Sequence, residues 1–248
     1  MRLIGAMHSR LTRRSLLVSA AAAAAARAGF WERKKPAEWT GEEVRRLLTD
    51  SPWAKVMTVP LKLEKPGERG PATWKDIPGA GPTLPDSSPG GMIGSPVGGI
   101  GAPKPKLPQQ AQIVVRWMSA APVRQALARL KYPGDPGQAQ RFAEREETFY
   151  VIEVLGVPSL VAYRGPELIQ TELHRTSYLS TKTGRLLRPD STYVAVQGLF
   201  LGITIRFPRH EPLSVKDGWV ECGGRTEQFE FRQRFELRRM ISGGRLEL

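Results

Sequence analysis

The chain has one cysteine and three histidines in 248 residues. A lone Cys222 rules out an intrachain disulfide, so stability must come from burial and sheet hydrogen bonds. Alternation in Trp219-Val220-Glu221-Cys222 puts Val220 and Cys222 on one strand face, where the cysteine reads as a small buried hydrophobe. No neighbour supplies the basic partner that a reactive thiolate needs. Long hydrophobic runs are scarce too. The main one, Leu16 to Ala26, has eleven residues, against the roughly twenty of a membrane-spanning helix. Catalytic signatures are missing: there is no Gly-x-Ser-x-Gly and no Rossmann glycine pattern. Gly98-Gly99-Ile100-Gly101 lacks the preceding strand, the following helix and the Gly-Lys-Ser/Thr end of a phosphate loop. Ser119 sits between a strand and a helix without the glycines of a nucleophile elbow, so it reads as an N-cap.

What is present at the N-terminus reads as an address. Thr12-Arg13-Arg14-Ser15-Leu16-Leu17 sets the Arg13–Arg14 pair before the apolar run. The run ends at Ala26-Arg27-Ala28, whose small residues Ala26 and Ala28 suit signal peptidase, with Gly29 as the new N-terminus. Paired arginines and an alanine-heavy apolar region favour export by the twin-arginine translocase. The expected destination is the periplasm or the extracellular space, with no transmembrane anchor in the mature form. No cysteine near the cleavage site offers a lipid anchor. The leader holds five of the 37 basic residues and none of the 24 acidic ones, so its removal lowers the net charge from +13 to +8. A chain this basic attracts polyanions.

The expected organisation is a signal at 1–28, a helix–strand arm at 29–63, a disordered insertion at 64–110 and an α+β domain at 111–248. In the arm, Thr40 and Glu43 form a capping box, and Val44, Leu47 and Leu48 make an apolar stripe before Asp50-Ser51-Pro52. Val56 to Leu63 alternates as a half-buried strand, and an arm this short must dock on the C-terminal domain. The insertion has ten prolines and ten glycines, too many for helix or ladder, and is expected to be nicked first by protease between Gly67 and Pro108.

Order is expected again from Ile113-Val114-Val115-Arg116-Trp117, a strand, followed by a helix over 119–130 with Val123, Leu127 and Leu130 inward. A polar helix at 137–147, a buried strand at Phe149 to Leu155 and a helix opened by Gly165-Pro166 come next. Thr192 to Phe207 reads as one or two strands bent at Gly198 or Gly202. Asp217-Gly218 reads as a hairpin turn. Phe229, Phe231, Phe235 and Leu237 share one strand face, with Glu230, Arg232, Arg234 and Glu236 on the other. The fold class is therefore α+β, an antiparallel C-terminal meander with one wet face, packed with two to three helices.

Three motifs together resemble a family of uncharacterised exported bacterial proteins. They are Trp39-Thr40-x-Glu42-Glu43-Val44-x-x-Leu47-Leu48-Thr49-Asp50-Ser51-Pro52-Trp53-Ala54-Lys55, Val115-Arg116-Trp117 with Ser119-Ala120 and Pro122-Val123-Arg124, and the Gly243-Gly244-Arg245-Leu246-Glu247-Leu248 ending, with Phe207-Pro208-Arg209 beside them. The resemblance brings no activity, ligand or catalytic residue with it.

Two classes of function stay open. Arginine is the strongest polar theme: Arg116, Arg124, Arg206 and Arg209 lie beside buried segments, and Arg232, Arg234, Arg238 and Arg239 crowd the last long strand. The leading expectation is a non-enzymatic envelope module that binds a partner protein or acidic polymer through a basic sheet face. No nucleic acid is expected, because stacking aromatics do not interleave these arginines. The alternative is an enzyme or metalloprotein exported folded, with His174 or His210 in its site. His174 shares a helix face with Glu167 and not with Glu172, and His210-Glu211 has Asp217 as a distant partner. A zinc site would still need a third ligand from elsewhere, and no cofactor is expected.

Overall fold

The computed structural model describes residues 29–63 and 108–248. The expected export signal and all but the last three residues of the proline–glycine segment lie outside the described residues. A single helical turn, α1 (Phe30–Arg33), leads through a 3-10 turn at Pro36–Glu38 to α2 (Gly41–Thr49). The start of α2 is set locally. Glu43 N–H donates to Thr40 Oγ1 at 3.2 Å, and Thr40 N–H donates back to Glu43 Oε2 at 2.8 Å. Val44, Leu47 and Leu48 then face the core.

Strand β1 (Ala54–Pro60) pairs antiparallel with β2 (Gln110–Trp117), from Ala54 opposite Arg116 to Pro60 opposite Gln110. Two helices follow, α3 (Ala121–Lys131) and α4 (Pro136–Glu144), and then β3 (Phe149–Pro158). After α5 (Pro166–Thr176) the chain is almost wholly strand. In order these are β4 (Tyr178–Thr181), β5 (Leu186–Leu187), β6 (Ser191–Gln197), β7 (Phe200–Pro208), β8 (Trp219–Arg225) and β9 (Glu230–Glu236). A small hairpin of β10 (Ile241–Ser242) and β11 (Arg245–Leu246) ends the chain.

The strands form a five-stranded sheet ordered β1-β2-β3-β7-β6 and a four-stranded sheet ordered β5-β4-β8-β9. Every pairing is antiparallel. The protein is α+β with a largely β C-terminal region. Both sheets contribute to one core: Ile113, Val115, Ile152, Val154, Ile203 and Ile205 from the first, Leu179, Val220, Phe231 and Phe235 from the second. Trp117 and Phe235 meet edge to face across it, ring centres 6.1 Å apart. Helix α5 packs against both β6 and β8, and Lys62 N–H donates to Gln228 O at 2.7 Å. The arm belongs to the same core. Trp53 is fully buried, and its indole N–H donates to the Glu247 carbonyl at 2.7 Å, 194 residues away.

Several local expectations change. Ala120, not Ser119, caps α3. Ser119 is buried, and its hydroxyl accepts the Val151 N–H at 3.0 Å. Leu130 is exposed, because α3 turns Val123, Ala126 and Ala128 inward instead. Asp217-Gly218 is no hairpin: it closes a 3-10 turn at Val215–Asp217, with Gly218 at φ +75°. The bend in the long β segment falls at Gly198-Leu199, a two-residue turn with Gly198 at φ +62°. The shared parity of Phe229, Phe231, Phe235 and Leu237 is realised, and all four are buried.

Candidate functional site

The arginines sort into three groups. Those beside buried segments hold the fold. Arg116 lies opposite Glu153 across β2 and β3 and binds its Oε2 through Nε at 2.7 Å and Nη2 at 2.6 Å. Arg124 donates to the Ser119 and Ala143 carbonyls, tying the start of α3 to the end of α4. Burial lowers its pKa, opposed by Glu247 and Glu147. Arg206 stacks on Phe149 and pairs with Glu147 at 3.4 Å, and Arg209 stacks on Tyr150.

The second group, Arg232 and Arg234, does project from the outer face of β9, but opposite charges meet it there. Glu221, on the paired strand β8, lies 3.2 Å from Arg234 and 3.8 Å from Arg232, and Glu230 adds a contact at 3.4 Å. Arg234 also stacks on Trp219, with its guanidinium carbon 4.1 Å from the ring centre. Tyr178 donates to Glu221 at 3.1 Å, and its phenol pKa is raised first by burial and then by that carboxylate. The sheet face is thus compensated within itself.

Arg238 and Arg239 form the third group and go elsewhere. They ride on a 3-10 turn at Leu237–Arg239, pinned by the buried side chains of Leu237 and Met240, so both guanidiniums stand out from it. There they line a cleft of about 970 Å³ whose other wall is the arm: Gly29 and α1, Glu43 and Arg46 of α2, and Asp50, Ser51, Pro52 and Lys55. The lining carries five bases (Arg33, Arg46, Lys55, Arg238, Arg239) against three acids (Glu32, Glu43, Asp50). Two of the acids are already engaged, Glu43 by Lys34 at 2.5 Å and Asp50 by Lys55 at 3.1 Å. The Lys34 contact leads the causes that lower the Glu43 carboxyl below its ordinary value. The guanidiniums of Arg33, Arg46, Arg238 and Arg239 have no ion-pair or hydrogen-bond partner among the described residues. Local spacing gives no hint of Arg33 and Arg46 as site residues, since nothing in it joins them to positions some two hundred residues later.

The histidine sites do not assemble. His174 and His210 are both exposed. Glu172, near His174 in sequence, accepts the Glu227 N–H at 3.1 Å. Asp217 is no partner for His210. Its carboxylate accepts from Ser214 N–H at 2.8 Å, Ser214 Oγ at 3.2 Å and Thr183 Oγ1 at 2.8 Å, with Arg185 at 3.4 Å. Burial pushes the Asp217 pKa up, but the hydrogen bonds and Arg185 outweigh it and hold it below the usual value. Among the described residues no three of His, Cys, Asp and Glu come close enough to hold a metal ion. Cys222 is wholly buried, and burial drives its thiol pKa far up.

A second hollow, of about 540 Å³, lies between α3, α4 and the Pro36–Glu38 turn. Its walls are mostly apolar (Pro36, Ala128, Tyr132, Pro133, Pro136, Ala139, Ala143), and Arg129 spans it to donate to the Pro36 and Ala37 carbonyls. That arginine works as a strut joining the arm to α3.

Compared with known proteins, the chain matches no family model, no curated protein and no solved structure. The resemblance to exported bacterial proteins therefore rests on its motif residues alone.

Proposed function

We propose that the protein is an exported, non-enzymatic module of the cell envelope that holds an acidic polymer or an acidic partner protein in the cleft between the arm and the Leu237–Arg239 turn. The observation that carries this reading is the convergence of four guanidiniums with no partner among the described residues, Arg33, Arg46, Arg238 and Arg239, on one concave polar surface. Guanidiniums left without carboxylates are free to bind carboxylates or phosphates in pairs. This moves the basic surface away from the β9 face, where Glu221 and Glu230 already occupy the arginines. The twin-arginine signal at 1–28 supplies the route, with the translocase as the partner during export. Cleavage after Ala28 would leave the Gly29 α-ammonium in this same cleft, since Gly29 lines it.

The test is retention of the purified protein on an immobilised acidic polymer. Binding at low salt should collapse between about 50 and 500 mM as exposed charges are screened. Passage through the column at low salt would overturn the reading.

A further inference from the structure

Gly29 belongs both to the processing pattern and to the basic cleft. It follows Ala26-Arg27-Ala28 in the chain, and it lines the cleft beside Phe30, Trp31, Glu32 and Arg33. Packing fixes its position. The Gly29 carbonyl accepts the Glu32 N–H at 3.1 Å, and its Cα lies so close to the Trp31 indole that an added Cβ would overlap the ring. Trp31 in turn meets Phe30 and Trp53 edge to face, with ring centres 5.1 and 5.4 Å away, and Trp53 is fully buried. The Gly29 nitrogen has no hydrogen-bond acceptor among the described residues.

We infer that cleavage after Ala28 completes the cleft, turning this nitrogen from an amide into an ammonium that binds the acidic ligand alongside the four guanidiniums. The inference rests on the anion-binding reading of the cleft and makes processing its activating step. Hydrolysis of the Ala28–Gly29 bond consumes one water. The carboxylate leaves on the leader, and Gly29 keeps a positive charge with three N–H donors where the amide had one. Because Trp31 already holds this end of the chain, little freedom is lost when a carboxylate docks on it.

Glu32 is the competitor. It is the lining acid without an ion-pair partner among the described residues, three positions along on α1, while Lys34 and Lys55 engage Glu43 and Asp50. Its side chain is exposed, and exposed ion pairs are weakly held, so an acidic polymer can displace it. Titration singles out the ammonium. An α-amino group loses its proton near about pH 7.7–8.0; carboxylates and histidine ordinarily titrate below that range, and tyrosine, lysine and arginine above it. The one thiol, Cys222, is driven far up by burial.

The test uses protein exported and processed by its own host, with its N-terminus read and poly-glutamate at low salt as the probe. One portion is selectively acetylated at the α-amine. Expected are a start at Gly29 and an affinity that falls about threefold between pH 7 and 9, a range in which poly-glutamate keeps its charge. Acetylation should weaken binding at pH 7 by about the same factor and abolish the pH dependence, with the thermal midpoint unchanged. Absence of binding at pH 7 by the unmodified protein would overturn the cleft reading itself, and this inference with it. Binding that is flat from pH 7 to 9 and indifferent to acetylation would overturn the inference alone and leave the cleft reading standing. So would a mature N-terminus other than Gly29.

Discussion

Replacing Asp217 with alanine removes the centre of a clamp that joins two segments far apart in the chain, the β4–β5 turn and the loop at 211–217. Its carboxylate, 9 % exposed, takes three hydrogen bonds from Ser214 and Thr183 and faces Arg185. Arg185 in turn donates to the carbonyls of Glu211 and Pro212, so the loop at 211–214 is fastened to the β4–β5 turn. Hydrogen bonds to a charged group are each worth about 1.5–3 kcal/mol net, and the partly exposed Arg185 adds under about 1 kcal/mol. The expected loss at pH 7 is at least about 4 kcal/mol, or roughly 8–16 °C in Tm for a domain of this size. The sign with pH comes from the lowered pKa. A carboxylate whose folded pKa lies below its unfolded value of about 3.9 contributes stability above that pH, and the contribution is lost as pH falls through the folded value. Urea unfolding followed by tryptophan fluorescence should therefore show wild type and Asp217→Ala converging, to within about 1 kcal/mol, at pH values below the carboxylate range. A variant within about 1 kcal/mol of wild type at pH 7, or a gap that does not narrow in acid, would refute the clamp.

Three further outcomes are expected. Gly156 sits in the β3 bulge at φ +87°, and a Cβ there would lie 2.6 Å from the Gln112 carbonyl oxygen. Gly156→Ala should cost about 2–4 kcal/mol, checked by thermal unfolding, and a wild-type Tm would contradict the bulge geometry. Cys222 should resist a thiol-specific reagent in native protein and react fully in denaturant; fast native labelling would mean that the thiol is not in the core. Trp53→Ala should cost about 3–5 kcal/mol in urea unfolding, because it empties a fully buried site and strands the Glu247 carbonyl. A loss under about 1 kcal/mol would show that the arm is not part of the core.

Features encoded within one turn or one strand were legible in the sequence. The Thr40–Glu43 box, the stripe on α2 and the parity of Phe229, Phe231, Phe235 and Leu237 all depend on neighbours a few residues away. Features decided by distant partners were not. Ser119 looked like a cap because only β3, thirty-two residues on, offers the Val151 N–H that claims its hydroxyl. Asp217-Gly218 looked like a hairpin because Thr183 and Arg185 are invisible from position 217. Leu130 fitted a helical stripe, yet α3 packs through Val123, Ala126 and Ala128, whose two alanines favour close approach. The same reason governs the site. Alternation along β9 placed Arg232 and Arg234 on an outer face, but it could not reveal Glu221 on the neighbouring strand. Nor could any spacing bring Arg238 and Arg239 to Arg33 and Arg46.

Whether the basic cleft binds anions is tested most directly by two double variants measured side by side against poly-glutamate at low salt. Arg238→Ala with Arg239→Ala removes from the cleft two guanidiniums that have no partner among the described residues; Arg232→Ala with Arg234→Ala removes two that Glu221 already engages. The cleft pair is expected to weaken binding about tenfold or more, and the sheet pair to change it by less than about twofold. Equal losses, or a larger loss from the sheet pair, would contradict a cleft-centred site.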